Sequence, residues 1–173
     1  MKIVLIGYMG SGKSAISQKL SDKLDYKVID LDDYIEEMEG NKISDIFATK
    51  GPIYFRKKES EYLKLLMGKE KSMILALGGG TPCYSNNLEY LKSLPDIKII
   101  YLKGSVSLLA DRLFLQKDHR PLIANIETKE QMLEFVGKHL FERSPYYSQA
   151  DEIIVTDGKS IDEVASEIHK GLF

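Results

Sequence analysis

Ile3-Val4-Leu5-Ile6-Gly7-Tyr8-Met9-Gly10-Ser11-Gly12-Lys13-Ser14 is the stretch that decides how the rest of the chain is read. Four consecutive apolar residues with no polar alternation predict a strand over 3–6 that is buried on both faces. Residues 7–14 fit G-x-x-x-x-G-K-[ST], and a helical run with Ile16, Leu20 and Leu24 follows them. A buried strand, a glycine-rich turn and a helix in that order make a phosphate loop. Glycine lets the backbone curl so that successive N–H groups converge on an anion. The helix N-terminus adds the positive end of its dipole. Lys13 is then placed to reach β- and γ-phosphates, and the Ser14 hydroxyl to ligate Mg²⁺.

Outward from this loop, short apolar runs alternate with helical patterns, the rhythm of a parallel sheet covered on both faces. Strands are expected over 28–29, 73–77, 97–102 and 153–155. Helices are expected over 34–38, 43–49, 52–67, 86–94, 106–116, 128–147 and 161–172. Proline at 52 suits the first turn of its helix. The reading is one three-layer α/β domain over 1–173, a P-loop NTPase fold whose five-stranded parallel sheet is flanked by helices. Residues 117–121 are polar, break the pattern and read as a loop.

At 173 residues the chain is long enough to bury its own core. A net charge of -2 argues against a nucleic-acid binder, which carries a strongly basic face. The first apolar run is too short for a signal peptide or a membrane span. The single cysteine, Cys83, cannot form an internal disulfide and suits a reducing compartment. A cytoplasmic enzyme is expected, acting as a monomer without nucleic-acid or membrane partners.

A phosphate loop alone does not separate kinases from GTPases or motors. Asn41-Lys42-Ile43-Ser44 has the outline of a guanine-reading motif, but serine stands where aspartate is needed. Small-molecule kinases remain, and these need a second pocket. Ligands of open α/β sheets sit at the carboxyl ends of strands. Asp30 and Asp32 follow the second strand there; they suit Mg²⁺ and a substrate hydroxyl, or equally the cap of the next helix. Gly78-Gly79-Gly80 ends a buried strand, as a flexible turn or a place where a ligand meets the backbone. Arg56 lies in Phe55-Arg56-Lys57-Lys58-Glu59, which by itself reads as a solvated helix face. Arg120 lies in the irregular segment, where a lid arginine would sit. His119, His139 and His169 have no metal-ligand spacing.

Taken together, these segments resemble the shikimate kinase family in order and spacing, from about residue 3 to 147. The resemblance includes residues 40–47, Arg120-Pro121-Leu122 and Arg143-Ser144-Pro145-Tyr146-Tyr147. It implies a nucleoside-monophosphate-kinase-like fold with a lid near 116–126. It implies ATP and Mg²⁺, and phosphorylation of the shikimate 3-hydroxyl. By position, Gly10, Ser11, Gly12, Lys13, Ser14 and Ala15 would bind the phosphates. Asp30 would order Mg²⁺ through water, and Asp32 would orient the attacking hydroxyl. Arg56 and Arg143 would clamp the acceptor carboxylate against Gly78, Gly79 and Gly80. Arg120 would meet the transferred group, Arg112 would lie against adenine, and the segment near Asp157 would close the base pocket. Ala15 departs from many relatives, which carry a second hydroxyl there. The alternatives are another small-molecule kinase, such as a gluconate or nucleoside monophosphate kinase, or an idle nucleotide-binding module.

Overall fold

A computed structural model describes all 173 residues. Its strands are β1 (Lys2–Ile6), β2 (Val28–Asp30), β3 (Met73–Ala76), β4 (Ile97–Lys103) and β5 (Glu152–Val155). Its helices are α1 (Lys13–Leu24), α2 (Leu31–Glu39), α3 (Ile43–Lys69), α4 (Asn87–Ser93), α5 (Val106–Gln116), α6 (Lys129–Tyr147) and α7 (Ile161–Leu172). Short 3-10 turns form at Thr81–Cys83 and at Lys117–His119. The second of these orders part of the segment expected to be irregular.

All strand pairs are parallel, and the sheet order is β2-β3-β1-β4-β5. β1 is central, and its residues Ile3 to Ile6 are fully buried. The chain passes to one side of β1 for β2 and β3, then to the other side for β4 and β5. A crevice therefore opens at the carboxyl end of β1, where the order reverses. Register brings the chemistry to that edge: Leu5 pairs with Ala76, and Ala76 pairs with Asp30. One step further along, the phosphate loop, Asp32 and the Gly78–Gly80 turn leave the sheet side by side.

Two cores flank the sheet. The larger, of 26 buried residues, holds Val4, Ile6, Leu75 and Tyr101 against α2 to α6. The smaller, of 11, holds Ile3, Leu5, Ile74 and Ile100 against α1 and α7. Alternate residues of β1 thus serve opposite layers, as the strand period requires. The layer with the larger core is the one carrying Arg56 and Arg143. No helix is long and apolar enough to cross a membrane.

Three boundaries refine the expected elements. Asp30 caps α2, its side chain accepting from the N–H groups of Asp32 and Asp33. That cap starts the helix at Leu31, so Asp32 sits in the first turn of α2. α3 is two helical halves joined across Gly51, whose φ of 83° and ψ of 170° break the helix before Pro52. Thr128 and Gln131 form a capping box that starts α6 at Lys129.

Leu63 and Ile53 lie on the same half of α3, one fully buried and the other 86% exposed. Leu63→Ala is expected to cost about 2–5 kcal/mol through the cavity it leaves. Ile53→Ala is expected to stay within about 0.5 kcal/mol. Urea unfolding of the two variants separates core packing from helix propensity.

Candidate active site

The phosphate loop takes its shape from backbone geometry that only glycine tolerates well. Gly10 and Gly12 have φ of 80° and 91°, in the left-handed region, and Gly12 leads into α1. Lys13 folds back over the loop and donates to the carbonyls of Gly7 (2.7 Å) and Tyr8 (3.1 Å). Burial lowers the Lys13 pKa to about 8 against the pull of Asp32 and Asp30, while Arg120 and Arg143 push it further down. Loop, lysine, carboxylates and both arginines therefore share one electrostatic neighbourhood.

A cavity of about 620 Å³ lies over this loop. Gly10, Ser11, Gly12, Lys13, Ser14 and Ala15 line its floor, and Asp30, Asp32, Gly78 and Gly79 line one wall. Arg112 and Arg120 line the opposite side. Arg112 donates to the Gly10 carbonyl at 3.0 Å, and Arg120 donates to Gln116 at 3.3 Å. The far end is closed by Thr156, Lys159, Ser160 and Ile161. Asp157 itself is exposed and engaged with Ser105, accepting from its N–H (2.8 Å) and its hydroxyl (2.5 Å). Asp157 does not itself line the cavity, and its segment meets the cavity through Thr156 and Lys159.

The two oxygens of Asp30 have different partners. Oδ1 caps α2, while Oδ2 accepts from Ser14 Oγ at 3.3 Å. Asp32 is differently placed. Burial first, then the nearby Asp30 and Glu59 carboxylates, raise its pKa from an ordinary 3.8 to about 7; Lys13 and Arg56 oppose the rise. A carboxylate poised near neutrality inside a cleft is suited to receiving a proton.

The glycine turn explains the other wall. None of Gly78, Gly79 or Gly80 needs a left-handed backbone; what they supply is space. A Cβ on Gly78 would stand 2.8 Å from Asp32 Oδ1, one on Gly79 3.0 Å from Arg143 Nη1, and one on Gly80 2.7 Å from Arg56 Nη2. Arg56 and Arg143 thus converge on adjacent residues of one turn. Neither lines the cavity over the phosphate loop; Arg56 faces a neighbouring depression of about 730 Å³ with Phe47, Ser60 and Tyr84.

Arg56 is not on a solvated face. Its side chain is 21% exposed, donates to Glu59 at 2.8 Å and stacks over Tyr84 at 4.0 Å. Glu59, 1% exposed, also accepts from Thr81 Oγ1 at 2.8 Å. Lys57 of the same run is exposed, so the basic stretch divides between site and solvent. Sequence reasoning missed Glu59 because a glutamate in a charged helix run looks solvated. It named Arg143 but missed that His139, Arg143 and Tyr147 recur every fourth residue on one face of α6. His139 Nδ1 and the Tyr8 hydroxyl are hydrogen-bonded at 2.9 Å, Arg143 lies over the Tyr8 ring, and Tyr147 donates to the Gly79 carbonyl at 2.5 Å. That four-residue spacing was the available signal.

A phosphate loop at the switch point of a 2-3-1-4-5 parallel sheet, facing paired carboxylates and a glycine turn gripped by two arginines, defines a P-loop phosphotransferase of the small-molecule class. The model of the family described as Shikimate kinase matches residues 9–172. The Shikimate kinase of Flavobacterium psychrophilum is 48% identical over 172 residues, covering 99% of each chain. The crystal structure of shikimate kinase from Bacteroides thetaiotaomicron superposes with a TM-score of 0.89 at 29% identity, covering 99% of this chain and 98% of that one. Shikimate kinase from Acinetobacter baumannii in complex with shikimate gives 0.84 at 31%, covering 99% and 92%. The chain belongs to the shikimate kinase family.

The raised pKa of Asp32 has a stability consequence. The folded state keeps this proton up to about pH 7, whereas the unfolded chain releases it near 3.8. Stability is therefore lost as pH rises through that window. Asp32→Asn removes the titration, so its melting temperature is expected to exceed that of the parent by a few degrees at pH 8. The gap should shrink at pH 5. Thermal unfolding at both pH values, without Mg²⁺ or nucleotide, checks the sign.

Proposed function

We propose that this chain transfers the γ-phosphoryl group of ATP to the 3-hydroxyl of shikimate, giving shikimate 3-phosphate and ADP in the chorismate route to aromatic amino acids. The observation that carries the reading is the position of Asp32. It lies against Gly78, between the Lys13 ammonium of the phosphate loop and the Arg56 guanidinium of the acceptor side. A hydroxyl brought to Asp32 faces the phosphates on one side, and an acid group of the same molecule faces the arginines on the other.

Phosphoryl transfer needs in-line placement and neutralised charge more than covalent help. The Gly10–Ala15 backbone and Lys13 hold the phosphates, and Arg112 and the segment at Asp157 hold the base end. Asp32 orients the acceptor hydroxyl and takes its proton as the oxygen attacks the γ-phosphorus. The bond from that phosphorus to the β-phosphate oxygen breaks, and ADP leaves with the electron pair. Lys13 and Arg120 supply positive charge where it develops, and residues 116–126 act as the lid that carries Arg120 over the transferred group.

The donor set near Ser14 fits Mg²⁺. One hydroxyl and one neighbouring carboxylate oxygen are too few to enclose the ion, the pattern expected when it keeps waters and shares substrate phosphates. Ser14 would ligate it directly and Asp30 through water. Bound there, Mg²⁺ would neutralise charge on the β- and γ-phosphate oxygens.

Arg56 and Arg143 clamp the shikimate carboxylate. Arginine presents a planar fork to a carboxylate, which lysine does not, and buried Glu59 keeps Arg56 in one orientation. Ala15 leaves one phosphate contact fewer than many relatives have. The single domain acts as a monomer in the cytoplasm, a location that lone Cys83 suits.

ADP release with MgATP is expected with shikimate and not with gluconate or nucleoside monophosphates. Release with another acceptor would keep the kinase and discard the substrate; ATP binding without release would mean an idle module. Arg56→Ala is expected to raise the shikimate KM at least tenfold, about the effect of one lost charge-assisted hydrogen bond, and to leave the ATP KM within about twofold. An unchanged shikimate KM removes Arg56 from the site. Asp32→Asn should lower kcat by about two to four orders of magnitude with the fold intact.

A further inference from the structure

Tyr147 is fully buried at the end of α6, with its ring 5.1 Å from that of Tyr101. By packing alone it is a core tyrosine. Its hydroxyl, however, lies among the groups assigned above to the acceptor. It donates to the Gly79 carbonyl at 2.5 Å, and the phenol oxygen and Arg143 Nη1 stand 3.6 Å and 3.0 Å from the point where Gly79 would carry a Cβ.

The two partners use different parts of that oxygen. A phenol has one proton, and the bond to Gly79 commits it. What remains are lone pairs, and a guanidinium, which has donors and no acceptor, can meet them only by donating. The phenol thus turns its proton to the Gly79 carbonyl and leaves only lone pairs for the neighbouring guanidinium. Arg143 Nη1 stands 3.0 Å from where Gly79 would carry a Cβ, so carbonyl, phenol and guanidinium form one compact unit. The peptide after Gly79 is trans, and its C=O and N–H point in opposite directions. Holding the Gly79 carbonyl therefore also sets the direction of the Gly80 N–H. Burial pushes the Tyr147 pKa far above the usual tyrosine range, which keeps the donor proton in place.

We propose that Tyr147 is a positioning residue for the acceptor, its hydroxyl fixing both the Arg143 guanidinium and the Gly79–Gly80 peptide. The proposal rests on the reading of Arg143 and the glycine turn as acceptor contacts. Tyr147 touches no substrate itself, and its effect is specific to the acceptor because neither of its hydroxyl partners belongs to the phosphate loop.

Tyr147→Phe keeps the ring against Tyr101 and removes only the hydroxyl. The shikimate KM is expected to rise about tenfold, the equivalent of one hydrogen bond to a charged group. The ATP KM should stay within about twofold, a split that general loosening of the core would not give. Arg143→Ala and the double variant complete the cycle. Because Tyr147 acts through Arg143, adding Tyr147→Phe to Arg143→Ala should raise the shikimate KM by clearly less than it does alone. Thermal unfolding of each variant accompanies the kinetics. A normal shikimate KM in Tyr147→Phe, with a raised one in Arg143→Ala, overturns the proposal and leaves the acceptor site standing. Equal rises in both KM values with a lowered melting temperature, or full additivity in the double variant, overturn it as well. A normal shikimate KM in Arg143→Ala overturns the acceptor reading of that residue, and the proposal with it.

Discussion

Three side chains crowd the space that Cβ atoms would take at Gly78, Gly79 and Gly80, and the proposed acceptor half of the site is built around that constraint. Asp32, Arg143 and Arg56 come from three different helices, α2, α6 and α3. The turn that ends β3 is the common surface on which they converge. Ordering three glycines costs backbone entropy. The cost is offset by what the missing side chains allow: two guanidinium groups and a carboxylate within contact of one backbone. Alanine at any of the three would displace the end of a functional side chain before it disturbed the sheet.

Such charge density requires compensation, because ions removed from water lose hydration that must be replaced. Glu59 provides it on the acceptor side, with one oxygen toward Arg56 and the other toward Thr81. Replacing only one member of that pair would leave a buried charge alone, which is far costlier than losing an exposed ion pair. Asp32 has no such partner of its own. It lies between Lys13 and Arg56 but also feels Asp30 and Glu59, and burial outweighs the attraction. The group most useful for handling a proton is thus the one least well compensated, a local loss of stability retained where the chemistry needs it.

The sheet was legible because continuous apolar runs such as 3–6 and 73–77 suit strands buried on both faces, and glycines mark their ends. The phosphate loop was legible because its residue types are fixed by geometry. The break in α3 could also be read, since Gly51-Pro52 separates two helical patterns. What sequence could not separate was a side chain's neighbours. Asp30 read equally as cap or metal group; one oxygen caps α2 and the other meets Ser14. Arg56 and Lys57 are adjacent and chemically alike, yet helix rotation turns one to the site and the other to water. Glu59 was hidden for the same reason, and Tyr147 among ten tyrosines was marked only by its four-residue spacing from Arg143 and His139. Asp157 could not be read as a partner of Ser105, far away in sequence, which claims its carboxylate.

α6 shows how such distant residues become one device. Residues four apart share a helix face, so one rigid element carries His139, Arg143 and Tyr147 in a row. His139 meets Tyr8 of the phosphate loop and Tyr147 meets Gly79 of the acceptor turn, with Arg143 between them. The distance between the two substrate regions is therefore set by the rise of a helix and not by loop conformation. The same helix also bounds the segment proposed as the lid. Ile123 is fully buried in the larger core with Met132, Val136 and Leu140 of α6, and Lys117 donates to the Ile126 carbonyl at 2.8 Å. Arg120 lies between those two anchors. As the proposed lid, a segment tied at both ends would swing its arginine only over a short arc, leaving the residues proposed to align the reacting atoms on rigid elements.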